Sequence, residues 1–381
     1  MSVEAWPVPG ASDAKRAVKY KAQTLCLCGA RSHEDHMVLA NIYDVFSVGH
    51  VGVYFLLVHL AWARHDSLHW AHVCVCCAVL SYYSFACACI AHNNTHCRTF
   101  CRHVHDVAFR QVLTLTFGHP VSTLVPGHNL SHHKHSESTR DAMRTSKLQY
   151  EWHWLNLLLF QPTVAWDVFK VDVRYMSLQK ATNSEYFWTT GLEWCLLLTT
   201  HAALLYWHWR KFFVYVYVPH LFAQWAIVTM NLLQHDGCHA RSSDDTPNLK
   251  LNTARNFTGR TLNLLTFNNG FHTIHHMFPG LHWSKLREQH DLKVAPLIHP
   301  ALNQPSLLAY LYTTFVFPGK RIDYLGRPVV FAKEQPGVDE DWTIEHAPPG
   351  LALRDYDVRM PQPLARALRW GVLDWAHAAT G

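Results

Sequence analysis

Nine histidines fall into four short groups whose spacing suits metal binding. HNNTH supplies His92 and His96, HNLSHH supplies His128, His132 and His133, and FHTIHHMFPG supplies His272, His275 and His276. In the fourth group, NLLQH, Asn231 precedes His235 by four residues. Residues four apart on a helix stack on one face, so His92 and His96 can hold one ion jointly, and Asn231 and His235 repeat that geometry. Neighbouring histidines diverge by about 100° on a helix, so an HH pair suits two adjacent ions better than one. Imidazoles without an acidic ligand favour iron, copper, zinc or nickel over magnesium or calcium. Nine are too many for one tetrahedral zinc, which takes four ligands. Two ions with four or five imidazoles each fit the number.

Four apolar stretches could position these groups, a bilayer crossing needing about 20 mostly apolar residues. Phe46–Ala63 and Ala71–Ile90 contain no Asp, Glu, Lys or Arg. Phe187–Trp209 holds only Glu193, and Phe212–Leu233 holds no formal charge, although Pro219, His220 and Gln224 lie inside it. The joints are short, RHDSLHW at 64–70 and little more than Arg210–Lys211, so each pair should be a hairpin returning to the side it left. Segment 91–186 carries about ten Lys and Arg, and an excess of positive charge marks a cytosolic loop. The first 40 residues include Glu4, Asp13, Lys15 and Arg16 and no long apolar core, so no cleaved signal peptide is expected and the N-terminus should be cytosolic. All four histidine groups then share the cytosolic face, two of them where a helix leaves the membrane. Redox-capable irons at that surface point to oxygen chemistry on a lipid chain.

Chance is the competing explanation. With 30 histidines in 381 residues, a given three-histidine pattern arises in about one such chain in five, so a lone group means little. His50, His59, His201 and His220, isolated inside the spans, read as packing residues. Four groups on one side of a bilayer do not read that way.

Composition narrows the rest. Only 16% of residues are charged and the net charge is +5, thinly spread, which excludes a basic nucleic-acid face. Of the 11 cysteines, five cluster as CVCC (74–77) and CAC (87–89) within an apolar run, and the cysteines read as small packing hydrophobes. Glu151–Trp166 is too short and too aromatic at its ends for a span and suggests a helix lying in the interface. Residues 317–381 are rich in Pro, Gly and Trp, with amphipathic character in LARALRWGVLDW (364–375). The expected architecture is an all-α integral membrane protein with four transmembrane helices in two hairpins and a helical cytosolic cap that holds a histidine-rich dimetal site. Residues 1–44 form a cytosolic N-terminal segment, 45–315 the membrane and cap domain, and 316–381 a cytosolic tail.

At these histidines the chain resembles the membrane fatty-acid desaturase and hydroxylase superfamily, over about residues 45–315. HHMFPGLHW (275–283) is similar to the third desaturase box, and NLLQH resembles an Asn-x-x-x-His element of stearoyl-CoA-type desaturases. The resemblance implies a non-haem di-iron centre with O2 as cosubstrate. It makes His92, His96, His128, His132, His133, His235, His272, His275 and His276 the iron ligands, with Asn231 reaching an iron through water. Ligating imidazoles usually donate their other N–H to a carboxylate, and Asp106, Asp141, Asp236 and Glu288 are the candidate acceptors. Two features depart from the desaturase pattern: Asn93 stands where an acid usually follows the first histidine, and the second box reads HxxxHH rather than HxxHH. GHNLSHHKH and NLLQHDG are similar to elements of membrane alkane hydroxylases.

The resemblance favours a fatty acid desaturase acting on an acyl chain carried by CoA, carrier protein, lipid or nothing. A hydroxylase, or an oxidative decarboxylase forming a terminal alkene, could share the same ligands. A histidine-rich metal transporter would instead line its spans with ligands. The chain carries neither a His-Pro-Gly-Gly haem element nor a ferredoxin-type cysteine run. An external electron donor, a ferredoxin, a rubredoxin or a cytochrome b5 with its reductase, is therefore expected.

Overall fold

The computed structural model describes residues 38–147, 150, 153–239, 247–316 and 321–329. Most of the segment 1–44 and of the tail 316–381, LARALRWGVLDW included, lies outside the described residues.

Helices α1 (Asp44–Arg64) and α2 (Trp70–His96) are joined by a short 3-10 turn, with the His69 side chain accepting from the Ala71 N–H to start α2. The pair is antiparallel. Ala40 N–H donates to Thr99 O at 2.9 Å and Cys101 N–H to Val38 O at 3.1 Å, which ties the start of α1 to the end of α2. Helix α3 (His103–Phe117) turns back along them and stops at Gly118, whose φ of 70° is open to glycine at little cost.

After α4 (His153–Thr182) and α5 (Ser184–Phe212), a π-helical turn at Phe213–Tyr217 leads into α6 (Val218–His235). Among the described residues, three stretches are long and apolar enough to cross a membrane: Asp44–Ser67, Trp70–His96 and Ser184–His235. The sequence predicts two spans within the last of these, a single run of 52 residues. It is not straight, however. His208 has φ −158° and ψ 84°, outside the helical region. His201 Nε2 lies 3.2 Å from His220 Nδ1, 19 residues further on, where a straight helix would separate them by about 28 Å. The chain therefore reverses near His208, and α5 and α6 run antiparallel. Lys211 meets Asp66 at the turn between α1 and α2 (2.8 Å), so both hairpin turns share one end.

The core explains Cys87 and Cys89, whereas Cys74 is exposed and Cys76 and Cys77 are half-buried. Ala86, Cys87, Ala88, Cys89 and Ala91 are buried on α2, where α6 packs against it. Small side chains let two helices approach closely, as in membrane proteins generally. No disulfide joins the described cysteines. Outward faces stay apolar, with Phe46, Leu56 and Leu60 on α1 and Trp188, Tyr206 and Trp207 on α5 exposed.

Helix α4 corrects the expectation of a short interfacial helix at 151–166. It spans 30 residues and buries Leu157, Phe160 and Val164 against Met230, Leu232 and Leu233 of α6. The apolar pattern fades after Trp166, yet Asp167 is held by Lys147 and Lys170, which lets the helix continue through polar sequence. Beyond α6, the fold comprises short helices, among them α7 (His272–Met277) and α8 (Leu286–Lys293). A two-residue parallel pairing of β1 (Asn256–Phe257) with β2 (Asn303–Gln304) departs from an all-helical reading.

Candidate metal centre

The ends of α2 and α6, the segment after α3 and helix α7 converge where the two hairpins end. His92 and His96 sit on the last turns of α2, and His235 ends α6. His272, His275 and His276 all lie on α7 and are buried. The second box is wound as a π-helix from Val125 to His132, and the His133 N–H bonds to His128 O, five residues back. Each residue then turns through less than the α-helical 100°. His133, which an α-helix would carry about 140° round from His128, is brought beside it, with Nε2 atoms 2.9 Å apart. The extra residue of HxxxHH is absorbed by the wider turn.

The nine histidines form two groups. His92, His96, His128, His133 and His275 make one; His132, His235, His272 and His276 make the other. Within each, the ligand atoms lie within 4.8 Å of one another. Both HH pairs are split, one member to each group, as divergence along a helix requires.

The donor geometry fits metal better than hydrogen bonding. In the first group Nε2 atoms approach at 2.8 Å (His92–His128), 2.9 Å (His128–His133) and 3.0 Å (His133–His275). In the second they approach at 3.1 Å (His132–His235), 2.9 Å (His235–His272) and 3.0 Å (His272–His276). One ring nitrogen offers either one proton or one lone pair, so His128 Nε2 cannot hydrogen-bond to both neighbours. With metal–nitrogen bonds of about 2.1 Å, adjacent ligands at right angles stand about 3.0 Å apart. His96 Nε2 is buried without a hydrogen-bond partner. Burial pushes His128, His133, His272, His275 and His276 well below the usual histidine range, and neighbouring imidazoles push the same way. Neutral imidazole is the form that binds metal.

Other nitrogens are oriented by the surrounding chain. His132 Nδ1 donates to Asp141 Oδ2 at 2.8 Å, both groups fully buried. His235 Nδ1 donates to Thr253 O at 2.9 Å, and His92 Nδ1 lies 3.3 Å from Asn93 Oδ1. Burial pushes the Asp141 carboxyl up, but His132 and the N–H groups of Glu137 and Met143 outweigh it and hold it below the usual range. The buried Glu137 is pushed up by burial and by the charge of Asp141. Glu137 and Thr253 were not foreseen: a backbone acceptor leaves no residue signature, and Glu137 is one acid in a polar run.

The remaining expected acceptors do other work. Asp236 pairs with Arg321, with Arg321 Nε 3.0 Å from Oδ1, and both are buried. Asp106 accepts from Asn94 Nδ2 and from the Thr99 and Phe100 N–H groups, fastening the loop after α2. Glu288 is exposed and pairs with Lys285. Asn231 donates to Met143 O at 2.8 Å and lines a cavity of about 70 Å³. Ala88, Phe117, Leu124, Ile227, Val228 and Met230 give that cavity an apolar wall, and it reaches His92, His128 and His272. It therefore touches both histidine groups.

Two groups of buried imidazoles, at the ends of helices long and apolar enough to cross a membrane and bordering one apolar cavity, make a candidate dimetal site. The model of the fatty acid desaturase family matches residues 68–305, and the chain belongs to that family. No curated protein matches it.

Proposed function

We propose that the protein is an oxygen-dependent di-iron membrane enzyme that activates C–H bonds of a fatty acyl chain, and that the reaction is desaturation. The observation that carries this reading is one apolar cavity bordered by members of both histidine groups. Non-haem iron is the imidazole-binding metal that couples to O2 in a desaturase-family site. The five-histidine group would hold one iron and the four-histidine group the other. Once bound, the irons supply the redox chemistry of dioxygen.

The rest falls to the chain itself. The apolar wall aligns the acyl chain and excludes water, so that one C–C pair lies beside both groups. Asp141, the Thr253 carbonyl and Asn93 fix ring orientation. Asn231 borders both the cavity and the ligands, where it could hold a water against an iron. The four helices α1, α2, α5 and α6 cross the bilayer as two hairpins, with the histidines on the cytosolic face. Two electrons per turnover come from a separate carrier protein, a ferredoxin, a rubredoxin or a cytochrome b5 with its reductase.

A hydroxylase reading is favoured by one feature, the HxxxHH box. Product analysis separates the two. The iron-loaded membrane protein is incubated with labelled acyl substrates on CoA, carrier protein, lipid or as free acids, with O2 and a reducing partner. Loss of two hydrogens identifies a desaturase, gain of one oxygen a hydroxylase, and loss of one carbon a decarboxylase. Bound zinc or copper alone, with no oxidised product, overturns the proposal.

A further inference from the structure

A second, smaller cavity borders the five-histidine group and is chemically unlike the first. It is about 10 Å³, close to the minimum that holds one water. His96, His275, Asn93, Asn94, Asp44 and His282 line it. Neither Asp44, the first residue of α1, nor His282, just past the third box, has a part in the site described above.

Asp44 is 3% exposed and its carboxyl is used unevenly. Its Oδ1 faces three donors: His282 Nε2 at 3.2 Å, Trp283 Nε1 at 3.3 Å and Ser47 Oγ at 3.4 Å. The proton on His282 is fixed by its other nitrogen, because His282 Nδ1 accepts from the Ser284 N–H at 3.3 Å, leaving Nε2 as the donor. Asp44 Oδ2 is buried with no partner. Asn93 and Asn94 line the same cavity, and Asn93 Nδ2 and Asn94 Oδ1 are also buried and unpartnered. Asn94 cannot turn to relieve this, since its Nδ2 is held by Thr99 Oγ1 at 3.1 Å and Asp106 Oδ1 at 3.0 Å. A carboxylate at a helix start often serves the helix end alone, but that role does not require a bare buried oxygen, which is costly. One water here would donate to Asp44 Oδ2 and to Asn94 Oδ1 and accept from Asn93 Nδ2, three bonds in all.

Resting on the function proposed above, we propose that Asp44, through this water, delivers the protons consumed when dioxygen is reduced. Desaturation converts –CH2–CH2–, O2, two electrons from the one-electron carrier protein and two protons into –CH=CH– and two waters. Two C–H bonds and the O–O bond break, and four O–H bonds form, two from chain hydrogens and two from solvent protons. Hydroxylation converts a C–H bond, O2, two electrons and two protons into an alcohol and one water, so the demand for solvent protons is the same. The first cavity, with its apolar wall, takes the substrate. The polar cavity borders the ligands independently of it, with the Asp44–His282 pair in its wall.

The test uses the full-length, iron-loaded protein in lipid with its reducing partner. Asp44→Asn keeps the size of the side chain and an acceptor for His282 but removes proton transfer, and should lower product formation by about 10²-fold. Iron content and thermal midpoint should match the wild type, and the solvent deuterium isotope effect should rise. Asp44→Glu should recover part of the rate, and added formic acid should partly rescue Asp44→Ala. Product formation by Asp44→Asn within twofold of wild type overturns the proposal. So does a slow variant that has lost iron or stability, or that shows no change in isotope effect and no rescue, because that is a structural role. A wild type that oxidises no acyl substrate overturns the underlying reading, and this proposal with it.

Discussion

Removing the Asp141 carboxylate should weaken one iron and spare the other. Its Oδ2 accepts from His132 Nδ1 (2.8 Å) and from the Glu137 N–H (2.9 Å), while Oδ1 accepts from the Met143 N–H (2.8 Å). Asp141→Asn has one acceptor oxygen. Turned towards His132 it keeps two of these bonds and loses the Met143 bond and the charge. Asp141→Ala loses all three. Partners that orient a ligating histidine are worth about 10–100-fold in metal affinity, or about 1.4–2.7 kcal/mol. Asn should fall near the lower figure and Ala near the upper. His132 belongs to the four-histidine group, so that ion should leave first. The assay is iron per chain after equilibration against a graded series of chelators. Asp141→Ala should drop from about two irons to one at a chelator strength that leaves the wild type loaded. Adding His235→Ala should cost no further iron at that strength, whereas adding His96→Ala should remove the remainder. If Asp141→Ala held both irons at wild-type strength, or lost the five-histidine ion first, the division into two sites would be wrong.

Arg321→Ala leaves Asp236 buried and unpaired, and breaking such a pair costs about 3–5 kcal/mol; the thermal midpoint should fall sharply, and an unchanged midpoint refutes the account. Glu137, with its carboxyl pushed up to about 8 chiefly by burial, binds more protons folded than unfolded above the ordinary carboxylate range. Its stabilising effect is complete below that range and is lost as pH rises through about 8. Glu137→Gln should therefore flatten the fall in thermal midpoint between about pH 5 and 8, and an unaltered slope counts against it. Ala88→Phe adds bulk to the wall of the apolar cavity and should cost about 1–3 kcal/mol in packing. Competition between acyl chains should then shift towards shorter products, and an unchanged profile argues against substrate binding there.

The clustering of the nine histidines was legible in sequence because each local spacing implies a direction on a helix. His92 and His96 share a face, and each HH pair points to two places at once. The apolar stretches were legible too, because runs with little or no charge joined by short polar turns leave few alternatives, and the break at His208 falls beside the expected Arg210–Lys211 joint. What escaped was set by tertiary contact. Asp236 looked like a partner for His235 because it follows it, yet the direction of the chain after α6 gives it to Arg321, 85 residues away. Asp44 meets His282 across 238 residues. Neither pairing leaves a local pattern. Helix α4 was cut short because its second half is polar, yet that half is held by the ion pairs to Asp167 and by the burial of Leu178.

The second box shows how local winding and site geometry determine each other. In a regular helix, residues at i, i+3 and i+4 point close to one direction, since three and four steps of about 100° come within 60° of a full turn. HxxHH therefore suits an α-helix. HxxxHH places its last histidine a fifth step on, and an α-helix would aim His133 away from His128. The π-helical turn at Val125–His132 removes that divergence. Such turns are rare and gather at functional sites because a regular helix is the more stable alternative. Bound metal would offset this one, since His128 and His133 meet His92 and His275 in one group while His132 meets His235 in the other. One inserted residue, which on spacing alone looked like a departure from the desaturase pattern, is thus accommodated while the adjacent pair His132 and His133 is divided between the two histidine groups.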